Sequence, residues 1–206
     1  MYDPEIVIAH TRRWVKQMVV GLNLCPFAAG PLGRDKVRYT CSRAEDLSEL
    51  LAELLHEADL LKGEDAEAET TLLIVPDLLR DFDDFLDAAG AAEELLQVQG
   101  FDGELQLAHF HPDYQFADAS ALDPAQHTNR SPHPVLHLLR WSDVRHATQT
   151  HPDVSQIPTD NQERLREMGV RGISTVDLPL ALAPYKCWDH TTQAIFEAKG
   201  EALEDC

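Results

Sequence analysis

The chain contains no uninterrupted apolar run approaching roughly 18 residues, so no segment of it reads as a transmembrane helix. Its opening, MYDPEIVIAHTRRW, lacks the apolar stretch of a signal peptide, and a cytoplasmic protein is expected. Cysteine is sparse. Cys25, Cys41, Cys187 and Cys206 lie far apart with no C-x-x-C pair, which excludes a dense disulfide scaffold. Basic residues are few as well: 17 Lys and Arg stand against 36 Asp and Glu, a formal net charge of -19. That balance argues against a nucleic-acid or anionic-membrane partner. Internal repeats and low-complexity linkers are absent too, and 206 residues suit one domain.

What is present is patterned. Acids dominate between residues 42 and 104, as expected for solvated outer faces of helices, whereas residues 1 to 41 are mildly basic. Asp3-Pro4-Glu5 opens a helix running to about Val20, with Gly21 expected as a left-handed C-cap. KVRYTC alternates as a strand. Ser42 and Glu45 read as a capping box for a helix ending at Gly63. TTLLIVP is a continuous apolar run, as in a strand buried on both faces. A helix from about Asp81 to Gly100 and the strand ELQLAHFH follow. The order β-α-β-α-β predicts a single α/β domain over residues 1–170, built on a small, mainly parallel sheet flanked by helices. Helices are also expected from about Pro134 to Ala147 and from about Asp160 to Met168, with residues 171–206 as a C-terminal extension.

The chemistry concentrates in two stretches, LAHFHPDYQF and HTNRSPHPVLHLLR. On a strand, His109 and His111 share one face at the end that borders ligand sites in open α/β sheets. On the expected helix, His133, His137 and Arg140 share another face. These histidines could converge on a divalent metal, zinc or iron, with His111, His137, His109 and His133 as its ligands. Cys25, His111 and His137 are the candidate catalytic groups, as nucleophile or soft ligand and as general base. Tyr114, Asn129, Arg130 and Arg140 would bind the substrate, the guanidinium groups taking a carboxylate or phosphate. A thiol beside such cations would titrate low.

At GLNLCPFA, FHPDYQF, TNRSPHPVLHLLR and IPTDNQERLREMG the chain resembles the bacterial domain-of-unknown-function family 1415, over about residues 5 to 170. The resemblance implies a soluble bacterial protein and brings no activity with it. Two functional readings follow from the residues. The first is a small-molecule enzyme acting on an anionic substrate in a His/Arg/Cys-lined pocket. The second is a non-catalytic binding or scaffold module whose acidic helices face a basic partner. Thiol, imidazole and guanidinium together favour the first.

Overall fold

The computed structural model describes residues 3–63, 66–117, 119–150, 153–174 and 176. Cys187, Cys206 and the LPLALAP stretch of the expected extension lie outside them. Helix α1 (Pro4–Trp14) starts as its sequence dictates, the Asp3 carboxylate accepting the Glu5 N–H at 2.9 Å. It continues as a wider π-helical segment, Val15–Val20. Gly21 does not take the expected left-handed conformation, since its φ is -62°. It is required for space instead: a Cβ there would lie 2.2 Å from the Gln17 carbonyl oxygen. The left-handed residue is Asn23, with φ 51°.

After the short helix α2 (Ala29–Gly33) come strand β1 (Val37–Cys41) and helix α3 (Leu47–Leu61). The expected capping box shifts along by one turn. Asp46 is the N-cap, accepting from Glu49 N–H at 2.9 Å, and the Ser42 hydroxyl accepts instead from Ala44 N–H. Strand β2 (Thr70–Ile74) is buried at every position, as its unbroken apolar pattern requires. Helix α4 (Phe82–Val98), capped by Asp81, and strand β3 (Leu105–Phe110) complete the β-α-β-α-β series.

The next element departs from the sequence reading. Residues Val135–Arg140 form a strand, β4, and only then does helix α5 (Trp141–Thr150) begin. The sheet order is β1-β2-β4-β3, with β1 and β2 parallel and β4 antiparallel to both neighbours. Thus β1, β2 and β3 share a direction and β4 fills the gap between the last two. A central strand covered on both sides must be apolar on both faces, so VLHLL loses the alternation that marks a half-exposed strand. Leucine's helical propensity then points the wrong way, and tertiary pairing overrides it.

Helix α6 (Ile157–Ser174) ends the described chain, broken at Gly169, whose φ of 62° and ψ of 171° are non-helical. Two buried clusters sandwich the sheet. On one face Leu50, Leu54 and Leu61 of α3 and Phe85, Ala89 and Leu96 of α4 pack on Leu73, Leu107, Leu136 and Leu138. On the other, Val7, Trp14, Val15 and Met18 join Leu165 and Ile173 of α6 over Leu72, Ile74 and Val135. Each fully buried leucine contributes about 2 kcal/mol. Among the described residues, no helix is long and apolar enough to cross a membrane.

Candidate functional site

Because β4 is a strand, its side chains alternate. His137 falls on the α1 face with Val135 and Leu139, while Leu136 and Leu138 join the α3/α4 core. His137 and Arg140, expected on one helical face, therefore project to opposite sides of the sheet at their Cα positions. The H-x-x-x-H spacing of His133 and His137 is likewise no helical pair. His133 precedes the strand and stacks on His10 of α1, the ring centroids 5.8 Å apart.

The other histidine pair lies beyond the sheet. His109 and His111 face α4, as the strand alternation of LAHFHP requires. They pack among aromatic rings. Phe85 lies 5.0 Å from His111 and 5.8 Å from His109, and Tyr114 lies 5.7 Å from His109. His111 is 1% exposed, and both its nitrogens are engaged. Its Nδ1 accepts the Asp113 N–H at 3.0 Å, so the ring proton sits on Nε2, which donates to the Leu79 carbonyl at 3.2 Å. Leu79 has a left-handed φ of 59°, a costly conformation for a branched side chain. His111 thus holds a strained turn in place.

The expected convergence of His111, Arg130 and His137 does not occur as a single cluster. The sheet lies between the two histidines. Arg130 spends its guanidinium on the loop that follows β3: Nε donates to the Tyr114 carbonyl at 3.1 Å and Nη2 to that of Ala121 at 3.3 Å. The buried Gln126, which the sequence did not single out, fixes the same loop by accepting from Phe116 N–H and donating to the Ser120 carbonyl. Asn129 contributes through its backbone, its carbonyl accepting from His111 N–H at 3.2 Å. The four proposed metal ligands are divided between the two faces. Among the described residues no group of three or more His, Cys, Asp or Glu side chains is placed to hold a metal ion.

A cavity of about 500 Å³ lies on the α1 face. Its walls are mainly apolar, with Trp14, Val15, Phe27, Leu72, Phe110 and Leu139 among them. Three of the predicted site residues, Cys25, His137 and Arg140, line it. It is also lined by Val37 and Thr70, the first residues of β1 and β2, so it sits toward the N-terminal ends of these strands. The crevice expected from the sequence was at their C-terminal ends.

The Cys25 loop is held from α6. Asn161 Nδ2 donates to the Leu24 carbonyl at 2.6 Å, and Arg164 Nη1 to those of Leu22 and Asn23. GLNLCPFA and IPTDNQERLREMG, distant in sequence, therefore meet as one structural unit. Burial pushes the Cys25 thiol up, partly offset by hydrogen bonds from the backbone of Phe27 and Ala28. The low-titrating thiolate expected beside arginine and histidine is not what this environment produces.

His137 is burial-dominated too, its pKa pushed down to about 4, so the ring is neutral near pH 7. Its Nε2 lies 2.6 Å from the hydroxyl of Thr70, a residue with no signal in the sequence beyond its place in a strand. At the rim, Arg34 forms a forked pair with Glu69, at 3.1 and 2.6 Å, and Arg140 pairs with Asp143 at 2.7 Å. Arg34 holds the Glu69 carboxyl below the usual carboxylate range. Each guanidinium is matched by one carboxylate, so this quartet gives the cavity no net positive charge.

Comparison with protein families matches residues 6–175 to the model described as Protein of unknown function (DUF1415). Comparison with curated proteins gives no match, and neither does comparison with solved structures.

Proposed function

The chain belongs to the DUF1415 family of proteins of unknown function, and from that premise we propose a function drawn from its cavity: binding and chemical handling of a small, largely apolar molecule. The supporting observation is one cavity of about 500 Å³ with mostly apolar walls, whose polar lining includes Cys25, His137 and Thr70 beside the paired Arg34–Glu69 and Arg140–Asp143. Enclosed apolar pockets with a small number of convergent polar atoms are the usual form of small-molecule sites. His137 is the group suited to accept a hydrogen bond from the ligand, and Cys25 lines the same cavity. A carboxylate or phosphate head, as Arg130 and Arg140 suggest in the sequence, would have to displace Glu69 or Asp143 from its guanidinium. An uncharged head needs no such exchange, and the proposal takes that form.

Tryptophan fluorescence tests this reading, because Trp14 lines the cavity. Titration with 2-naphthol should change the emission saturably. In an Ala147→Phe variant, which fills space at the cavity wall, the saturable change should be lost while the fold is kept by circular dichroism. Equal binding by a folded Ala147→Phe chain would place the ligand elsewhere.

A further inference from the structure

Counting protons at Thr70 decides which face of the His137 ring is chemically available. A hydroxyl carries one proton, and a carbonyl oxygen carries none. Thr70 Oγ1 lies 2.7 Å from the Leu138 carbonyl oxygen, so the hydroxyl proton is committed there. The 2.6 Å contact between the same Oγ1 and His137 Nε2 then requires the proton of that second bond to come from the ring. Two lone pairs facing each other at this distance would repel. His137 is therefore the Nε2–H tautomer, and its Nδ1 carries a lone pair. No described residue donates to Nδ1, in a ring that lines the cavity.

Resting on the pocket reading above, we infer that Thr70 locks His137 as a hydrogen-bond acceptor toward the cavity. The site thereby selects ligands that pair an apolar body with a hydrogen-bond donor, such as a hydroxyl or an amide N–H. Thr70 is a positioning residue: its oxygen holds the ring proton away from the ligand, and the β4 carbonyl holds the hydroxyl. The chain Leu138 carbonyl, Thr70 hydroxyl, His137 imidazole and ligand then runs in one donor direction, each group using its single proton once. An ether or tertiary amine of the same shape leaves Nδ1 without a partner in a largely apolar enclosure, which is the costly half of hydrogen-bond energetics. His111 has the same tautomer, but its Nδ1 is already taken by the Asp113 N–H, so the inference belongs to His137 alone.

Two measurements on the full chain test it. Long-range nitrogen–proton NMR spectra of the free protein at pH 7 should show His137 with protonated Nε2 and unprotonated Nδ1. Thr70→Val should lose that fixed pattern, and Thr70→Ser, which keeps the hydroxyl, should restore it. A dominant Nδ1–H form in the unmodified protein overturns the lock. For ligand choice, 2-naphthol is compared with 2-methoxynaphthalene, which keeps the rings and removes the donor. The naphthol should bind about tenfold tighter, with the ratio falling toward one in Thr70→Val and returning in Thr70→Ser. Equal affinities in the unmodified chain overturn the donor requirement even if the spectrum shows the expected tautomer. Binding of neither probe removes the pocket reading and the ligand class with it, while the spectrum still decides the tautomer.

Discussion

His111 and His137 present the same imidazole on opposite sides of one sheet, and their surroundings make them different chemical objects. On the α3/α4 face His111 is buried against Phe82 and Phe85 with both nitrogens bonded to backbone groups. On the α1 face His137 uses one nitrogen on Thr70 and lines a cavity with the rest of its ring. The core of the first face is packed with leucine, alanine and phenylalanine, whereas the second borders the cavity that His137 lines. Residue type therefore says little about role; what remains unbonded after folding says much more. The same contrast separates the arginines, since Arg130 is consumed by two loop carbonyls while Arg34 and Arg140 border the cavity.

The comparison breaks most sharply at His111. Replacing it with Ala should cost about 3 to 4 kcal/mol in denaturant unfolding at pH 7, from lost packing, an orphaned Asp113 N–H and a released Leu79 turn. His137→Leu should cost only about 1 kcal/mol in the same measurement, because Thr70 keeps its bond to the Leu138 carbonyl. Equal costs would mean that the two faces are not built differently.

Acid comes next. The folded state holds His137 down to about 4 against the ordinary imidazole value of about 6.5. Above pH 6.5 both folded and unfolded chains carry it neutral, and it costs nothing. As pH falls from 6.5 to 4 the unfolded chain takes up a proton that the folded chain refuses, so stability drops, by up to about 3 kcal/mol. Below 4 both states are protonated and the loss levels off. His127 and His133, also pushed down to about 4 by burial, add to the same window. Unfolding free energy measured against pH should show His137→Leu losing up to about 3 kcal/mol of this acid sensitivity.

A smaller effect is expected at Arg130. Its replacement by Ala should destabilise by about 2 kcal/mol through the loop carbonyls it leaves unbonded, and leave probe affinity at the cavity unchanged. A change in 2-naphthol affinity larger than threefold would tie the two regions together. Cys25→Ala should be mildest, at about 1 kcal/mol. With its thiol pushed up by burial, Cys25 should alkylate more slowly near pH 7 than a free thiol, read by peptide mass analysis, and more slowly still with the cavity occupied.

Most elements were written in local pattern. Asp3-Pro4-Glu5, the apolar run at 70–76, Asp81 before its helix and the alternation of LQLAHF each rest on interactions within a few residues, and each produced the expected structure. The strand β4 was not legible, because a central strand's two apolar faces erase the period that distinguishes it from a helix. The consequence reaches the site: once VLHLLR is a strand, His133 and His137 are no helical pair and the four-histidine arrangement dissolves, although His137 and Arg140 still line one cavity.

The sequence by itself determined the α/β class, the family membership carried by its motifs, and the polar residue types available for chemistry. Tertiary structure alone decided which of those groups remain unspent. Hydrogen-bond saturation is a property of neighbours far away in the chain: Leu79 for His111, Thr70 for His137, Leu22 to Leu24 for Asn161 and Arg164. Local pattern can place an imidazole on a strand, but only packing across 67 residues of sequence separation fixes where its proton sits.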